Sequence, residues 1–262
     1  MRLPRASVTL FLLGSLLALD APGTALAAAG DPDGTFGDGG KVTTPFVFGQ
    51  DVARDVVVQP DGKVVVVGDA YNGADSDLGV ARYLADGSPD TTFSGDGRAT
   101  IHFVGQDSAN GVALQPDGKI VVVGRTGVGD FGVVRLNTNG SLDSSFSGDG
   151  KVGTPGLGAA QDVAVVGGKI VVVGGASPSP GDFVVARYTS TGSPDTTFSQ
   201  DGIATTDFAG SDVAYGLAVQ PDGRIVVAGV TSVNMNFALA RYTTTGGLDS
   251  TFSNDGKVTT SL

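Results

Sequence analysis

Apolar and polar residues follow one another along this chain in short runs, and the runs return in the same order. VVVQPDGKVVVVG at 56–68 comes back as VALQPDGKIVVVG at 112–124, VAVVGGKIVVVG at 163–174 and LAVQPDGRIVVAG at 217–229. Pro-Asp-Gly between two apolar runs predicts a tight hairpin, because Pro presets φ and Gly accepts positive φ. The third copy is one residue shorter and places Gly167-Gly168 at the turn. The run after the turn, residues 120–123 in the second copy, is apolar throughout, which predicts a strand covered on both faces. The next run alternates. Phe237, Leu239 and Arg241 share one side and Ala238, Ala240 and Tyr242 the other, as a half-buried strand requires. A short Thr-rich piece (KVTTPF, RATIHF, KVGTP, IATTDF, KVTTSL) closes each unit and predicts an outer edge strand.

Phe36, Phe93, Phe146, Phe198 and Phe252 anchor the repeat, in the strings PDGTFGDGG, PDTTFSGDG, LDSSFSGDG, PDTTFSQDG and LDSTFSNDG. The period is about 53 residues, long enough for one supersecondary unit of four short antiparallel strands. Such a unit cannot cover both of its faces alone, and radial stacking of units gives a β-propeller. The reading is therefore all-β: a propeller-like array of four four-stranded antiparallel blades over 51–262, closed or partly open. Residues 28–50 form an N-terminal segment with one extra strand. That strand is free to extend the last blade or to pair with another chain.

Composition sharpens this picture. Gly numbers 42 of 262 residues, and every acidic residue is Asp, a turn and cap former, with no Glu. Residues 1–27 read as a Sec-type signal peptide. Arg2 and Arg5 precede the apolar stretch VTLFLLGSLLAL, and Ala25-Leu26-Ala27 supplies a cleavage site. The stretch is too short to span about 30 Å of hydrocarbon. A secreted chain is expected, extracellular or periplasmic, with cleavage near Ala27 and no membrane span. The net charge of −11 argues against nucleic acid as a partner. There is no Cys, which excludes disulfides and thiol chemistry.

The strings LDSTFSNDGKVTT, VQPDGRIVVAG and FALARY resemble the delta-sixty repeat family of bacterial secreted and surface proteins. They are also similar to the NHL-type propeller blade, in which a V-x-P-D-G-x-I hairpin supplies the inner two strands. The resemblance covers nearly all of 31–262 and implies a propeller-like, non-catalytic repeat domain without specifying a ligand.

Candidate chemistry centres on Asp. Asp90 and Asp96, Asp143 and Asp149, Asp195 and Asp201, and Asp249 and Asp255 flank the anchor Phe in pairs. They are the candidate metal ligands, since calcium takes six to eight oxygens, several from carboxylates. Turn and cap chemistry explains the same residues. The recurring Arg82, Arg135, Arg187 and Arg241 suit bidentate pairing with the Asp eight residues on. His102 is the single histidine and stands where other units carry Pro45 or Asp207. The non-repeated Asp69, Asp75, Asp77 and Asp107 lie in variable loops, and nothing in their sequence setting marks an acid or a base. No catalytic residue and no cofactor are expected, calcium apart.

The leading expectation is thus a secreted, non-catalytic repeat protein that binds or scaffolds an extracellular protein or glycan, with a homodimer as one arrangement. A polysaccharide-acting hydrolase or lyase and a calcium-stabilised surface protein are the alternatives.

Overall fold

A computed structural model describes residues 30–47, 49–177, 181–232 and 235–261. The signal peptide expected at 1–27 lies outside the described residues. Sixteen strands form four antiparallel sheets of four, each in simple sequence order. Blade one comprises β1 (Val52–Val58), β2 (Val64–Tyr71), β3 (Ser76–Tyr83) and β4 (Arg98–Ile101). Blade two comprises β5 (Ser108–Leu114), β6 (Ile120–Arg125), β7 (Phe131–Leu136) and β8 (Lys151–Thr154). Blade three comprises β9 (Leu157–Val166), β10 (Lys169–Ala176), β11 (Phe183–Tyr188) and β12 (Ile203–Thr206). Blade four comprises β13 (Asp212–Val219), β14 (Ile225–Thr231), β15 (Asn236–Tyr242) and β16 (Lys257–Thr260).

The hairpins form as their turns dictate. At Pro60-Asp61-Gly62 the Gly62 φ is +84°, and Gln59 N–H donates to the Lys63 carbonyl at 2.7 Å. In blade three, Gly167 and Gly168 both take positive φ, so two residues suffice and Val166 pairs directly with Lys169. The glycine that ends each apolar run has a different cause. A Cβ on Gly124 would stand 1.8 Å from the Ser108 carbonyl oxygen, because the inner strand bulges there.

Three cores lie between consecutive blades. One face of blade one (Val65, Val67, Leu78, Val80) packs on Ile120, Val122, Val134 and Leu136 of blade two. Blades two and three meet in the same way, as do blades three and four. The inner strands β1, β5, β9 and β13 crowd together in succession while the outer strands fan apart. The fourth interface, between blade four and blade one, does not form. Phe237 of blade four is 56% exposed, whereas its equivalents Leu78, Phe131 and Phe183 are fully buried. The propeller is therefore an open arc.

Residues 41–46, expected as an extra strand, run extended along blade one without a ladder, and Lys41 makes only an isolated bridge to Gly37. The reason is that no described strand lies beside them to pair with.

Candidate functional site

The paired Asp residues build the frame. Asp90 accepts from Arg82 Nε at 2.8 Å, from Thr92 N–H at 3.0 Å and from the Thr92 hydroxyl at 2.6 Å. Lys63 Nζ lies 3.3 Å from the same carboxylate. Burial alone would push Asp90 up, but the Thr92 bonds, Lys63 and the Arg82 charge hold it at about 2. Asp143 with Arg135, Asp195 with Arg187 and Asp249 with Arg241 repeat the pair at 2.7–2.8 Å. Each Arg also stacks over its anchor Phe, 4.7 Å above the ring in the case of Arg135 and Phe146. The second member of each pair serves as a turn acceptor. Asp96, Asp149, Asp201 and Asp255 accept the backbone N–H two residues on, at the start of the outer strand. All eight candidate ligands thus have partners within the protein, and the paired four already face a cation.

Carboxylates converge elsewhere, where the outer strand of one blade turns into the inner strand of the next. At the junction of blades one and two, His102 Nδ1 lies 2.8 Å from Asp77 and 3.6 Å from Asp107. Asp107 is fully buried, and its two oxygens accept from Phe103 N–H and Gly127 N–H, each at 2.7 Å. The hydrogen bond to Asp77 raises the His102 pKa. Of the other non-repeated acids, Asp69 pairs with Arg54 at 2.6 Å and Asp75 accepts from Asn72 at 2.6 Å.

At the junction of blades three and four the same frame holds Asp182, Asp207 and Asp212, with ligand oxygens all within 4.8 Å of one another. Asp207 stands where blade one has His102, so a third carboxylate replaces the imidazole. Asp212 is fully buried. One of its oxygens accepts from Phe208 N–H at 2.7 Å, while Oδ1 has no hydrogen-bond partner. Burial, together with the charges of Asp207 and Asp212, pushes the Asp182 carboxyl up. Among the described residues no Lys or Arg forms an ion pair with any of the three. A buried, unpartnered carboxylate oxygen among like charges is costly unless a cation joins it. The oxygen-only donor set suits a hard cation of the calcium class.

Sequence reasoning missed this site. Neither Asp182 nor Asp212 was singled out, and Asp207 entered only as a substitute for His102. The usable signal was the repeated F-x-G-x-D string ending at Asp107 and Asp212, which places one buried carboxylate at each of these junctions.

A family model described as a domain of unknown function (DUF5122), beta-propeller, matches residues 59–93, 115–146, 168–198 and 220–252, together half of the chain. No curated protein matches the sequence. Among solved structures, Sqt1 from Chaetomium thermophilum is similar at 15% identity and TM-score 0.40, over 74% of this chain and 43% of that one. An alpha-L-arabinofuranosidase from Clostridium thermocellum is similar at 14% identity and TM-score 0.40, over 78% of this chain and 71% of that one. Puromycin hydrolase is similar at 17% identity and TM-score 0.42, over 76% of this chain and 29% of that one. The chain thus spans less than half the length of Sqt1 and of puromycin hydrolase.

Two expectations are corrected here. The chain was read as a non-catalytic binding or scaffolding protein and as no enzyme. The solved structures it is similar to include an alpha-L-arabinofuranosidase, arabinanases and puromycin hydrolase, and neither expectation stands. The chemical ground also fails. That reading found no convergent acids, and three carboxylates converge at Asp182, Asp207 and Asp212.

Proposed function

The chain belongs to the DUF5122 beta-propeller family, whose description names a fold and no activity, and from that premise we propose that it binds a calcium-class cation at Asp182, Asp207 and Asp212. The observation that carries the reading is the unpartnered Oδ1 of fully buried Asp212. The sister junction supports it. There an imidazole, a base, sits between two equivalent carboxylates, and the site with Asp207 in its place has a third acid instead. The cation bridges blades three and four, since Asp182 and Asp207 belong to one and Asp212 to the other. The leader-like residues 1–27 support a secreted chain, for which sites of millimolar strength are sufficient. The strings LDSTFSNDGKVTT and VQPDGRIVVAG support a delta-sixty type of repeat within the family.

Melting of the purified chain in calcium and in chelator tests the proposal. Calcium at about ten times its Kd adds roughly 1.4 kcal/mol of stability, a rise of about 2–4 °C for a chain of this size. Asp212→Asn keeps an acceptor for Phe208 N–H and should abolish the rise. The rise should also shrink as pH falls through the raised pKa of Asp182, because protons compete for the ligand. A melting temperature indifferent to calcium, with no heat on titration, would overturn the assignment.

A second reading rests on Asp182 itself. A carboxyl with raised pKa beside other carboxylates is the pairing that glycoside hydrolysis uses for its acid and its nucleophile or base. On this reading the chain cleaves a polysaccharide. Release of reducing ends from soluble glycans should be lost in Asp182→Asn without loss of fold, and the absence of any such release from the parent chain rejects the reading.

A further inference from the structure

Residues 36–46 occupy the place of an outer strand belonging to a blade that precedes blade one. Tyr83 donates its hydroxyl to Thr44 Oγ1 at 2.7 Å. The same hydroxyl pair joins blades two and three through Thr154 and Tyr188 at 2.6 Å, and blades three and four through Thr206 and Tyr242 at 2.7 Å. Gly37 N–H donates to the Asp86 carbonyl at 2.7 Å, matching Ser94 to Asn139, Ser147 to Thr191 and Ser199 to Thr245, each at 2.8 Å. Arg98 reaches the Pro45 carbonyl as Lys151 reaches that of His102. The outer strand of a blade is thus in position, and among the described residues the three strands that would complete it are not. In their place is a groove of about 840 Å³, walled by Val42 and Phe46 on one side and Val56, Val64, Val66 and Ala81 on the other. Val56 is 57% exposed.

Blade four offers the matching face. Val226, Ala228, Phe237 and Leu239 are the counterparts of Val121, Val123, Phe131 and Val133, which are fully buried between blades two and three. On blade four none of the quartet is buried. The two open surfaces are therefore the halves of an interface that this chain makes three times internally. They do not meet within one copy. The outer strands match as well: Lys41-Val42-Thr43-Thr44 is identical to Lys257-Val258-Thr259-Thr260.

We propose that the occupant of the groove is blade four of a second copy of this chain. Its β13, β14 and β15 fill the groove, and residues 41–44 of the first copy, identical in sequence to 257–260, displace β16 from its ladder with β15 by strand exchange. The register follows from the β15–β16 ladder, in which Phe237 faces Thr260 and Ala240 faces Lys257. Thr44 then faces the Phe237 of the other copy, and Lys41 its Ala240. The contact is head-to-tail, and making it twice closes a two-fold ring of eight blades, within the range of known propellers. No free sheet face is left.

Light scattering on the purified chain should give the mass of two copies, and Phe237→Asp should give the mass of one with its circular dichroism retained. The chain has no Cys, so Thr44→Cys combined with Phe237→Cys should form an intermolecular disulfide under mild oxidation. A monomeric parent chain, an open polymer, a dimer indifferent to Phe237→Asp or a double-Cys dimer that does not cross-link would each overturn the proposal.

Discussion

At the scale of single residues, recurrence separates frame from function. Arg135 is 4% exposed and serves three partners at once. Its Nε donates to Asp143, one terminal nitrogen to Ser145 and the other to the Ser190 carbonyl of blade three. Arg82 and Arg187 likewise reach across to a carbonyl of the following blade. Arg241 has no following blade, and among the described residues it makes only its local bonds to Asp249 and Thr251. Removing one member of a buried pair costs up to about 3–5 kcal/mol, although Lys119 Nζ stays 3.0 Å from Asp143. Arg135→Ala should therefore cost up to that much in urea unfolding. Arg241→Ala, at the open end, should cost clearly less, since Lys119 and Arg224 back up the two carboxylates alike while only Arg135 loses a bond across a blade interface. Equal losses in the two variants would show that the contact across blades contributes nothing.

At the scale of elements, the strands were legible because local chemistry and burial agree. The hairpin at Pro60-Asp61-Gly62 and the buried run of β6 need only turn residues and period to be read. The Gly167-Gly168 departure was legible as a turn, and the structure adds that two positive φ values make it shorter. The Arg–Asp frame was legible from its spacing of eight, because both partners sit in one unit. The acid cluster was not. Its members come from positions 182, 207 and 212, on two blades, and only the packing of one blade on the next brings their oxygens together. Repetition also worked against finding it, since it cast recurring acids as frame. The difference between His102 and Asp207 was visible, but its meaning depends on two further carboxylates, one of which, Asp182, lies 25 residues away in sequence. The fate of residues 41–46 was hidden for a similar reason. A strand signal says nothing of whether a neighbour is present to complete the ladder.

At the scale of the whole molecule, an array in which each blade touches only its neighbours has stability that varies along its length. Blades two and three are sandwiched, with Val121, Val123, Ile170 and Val172 all fully buried. Blade four has a partner on one side alone, and Phe237 and Tyr215 are more than half exposed. At a dilution that keeps copies apart, amides of β15 should exchange with solvent faster than those of β7, by about tenfold for each 1.4 kcal/mol of missing interface. Blade one should fall between them, because residues 36–46 already cover part of its open face and bury Tyr83 and Ala81. Raising the protein concentration should slow exchange in β15 and β1 together, and leave β7 unchanged, because association buries the two end faces in one contact. Uniform protection along the chain at high dilution would mean that the four blades unfold as one unit, and the end blades would then draw their stability from something other than the neighbour interfaces.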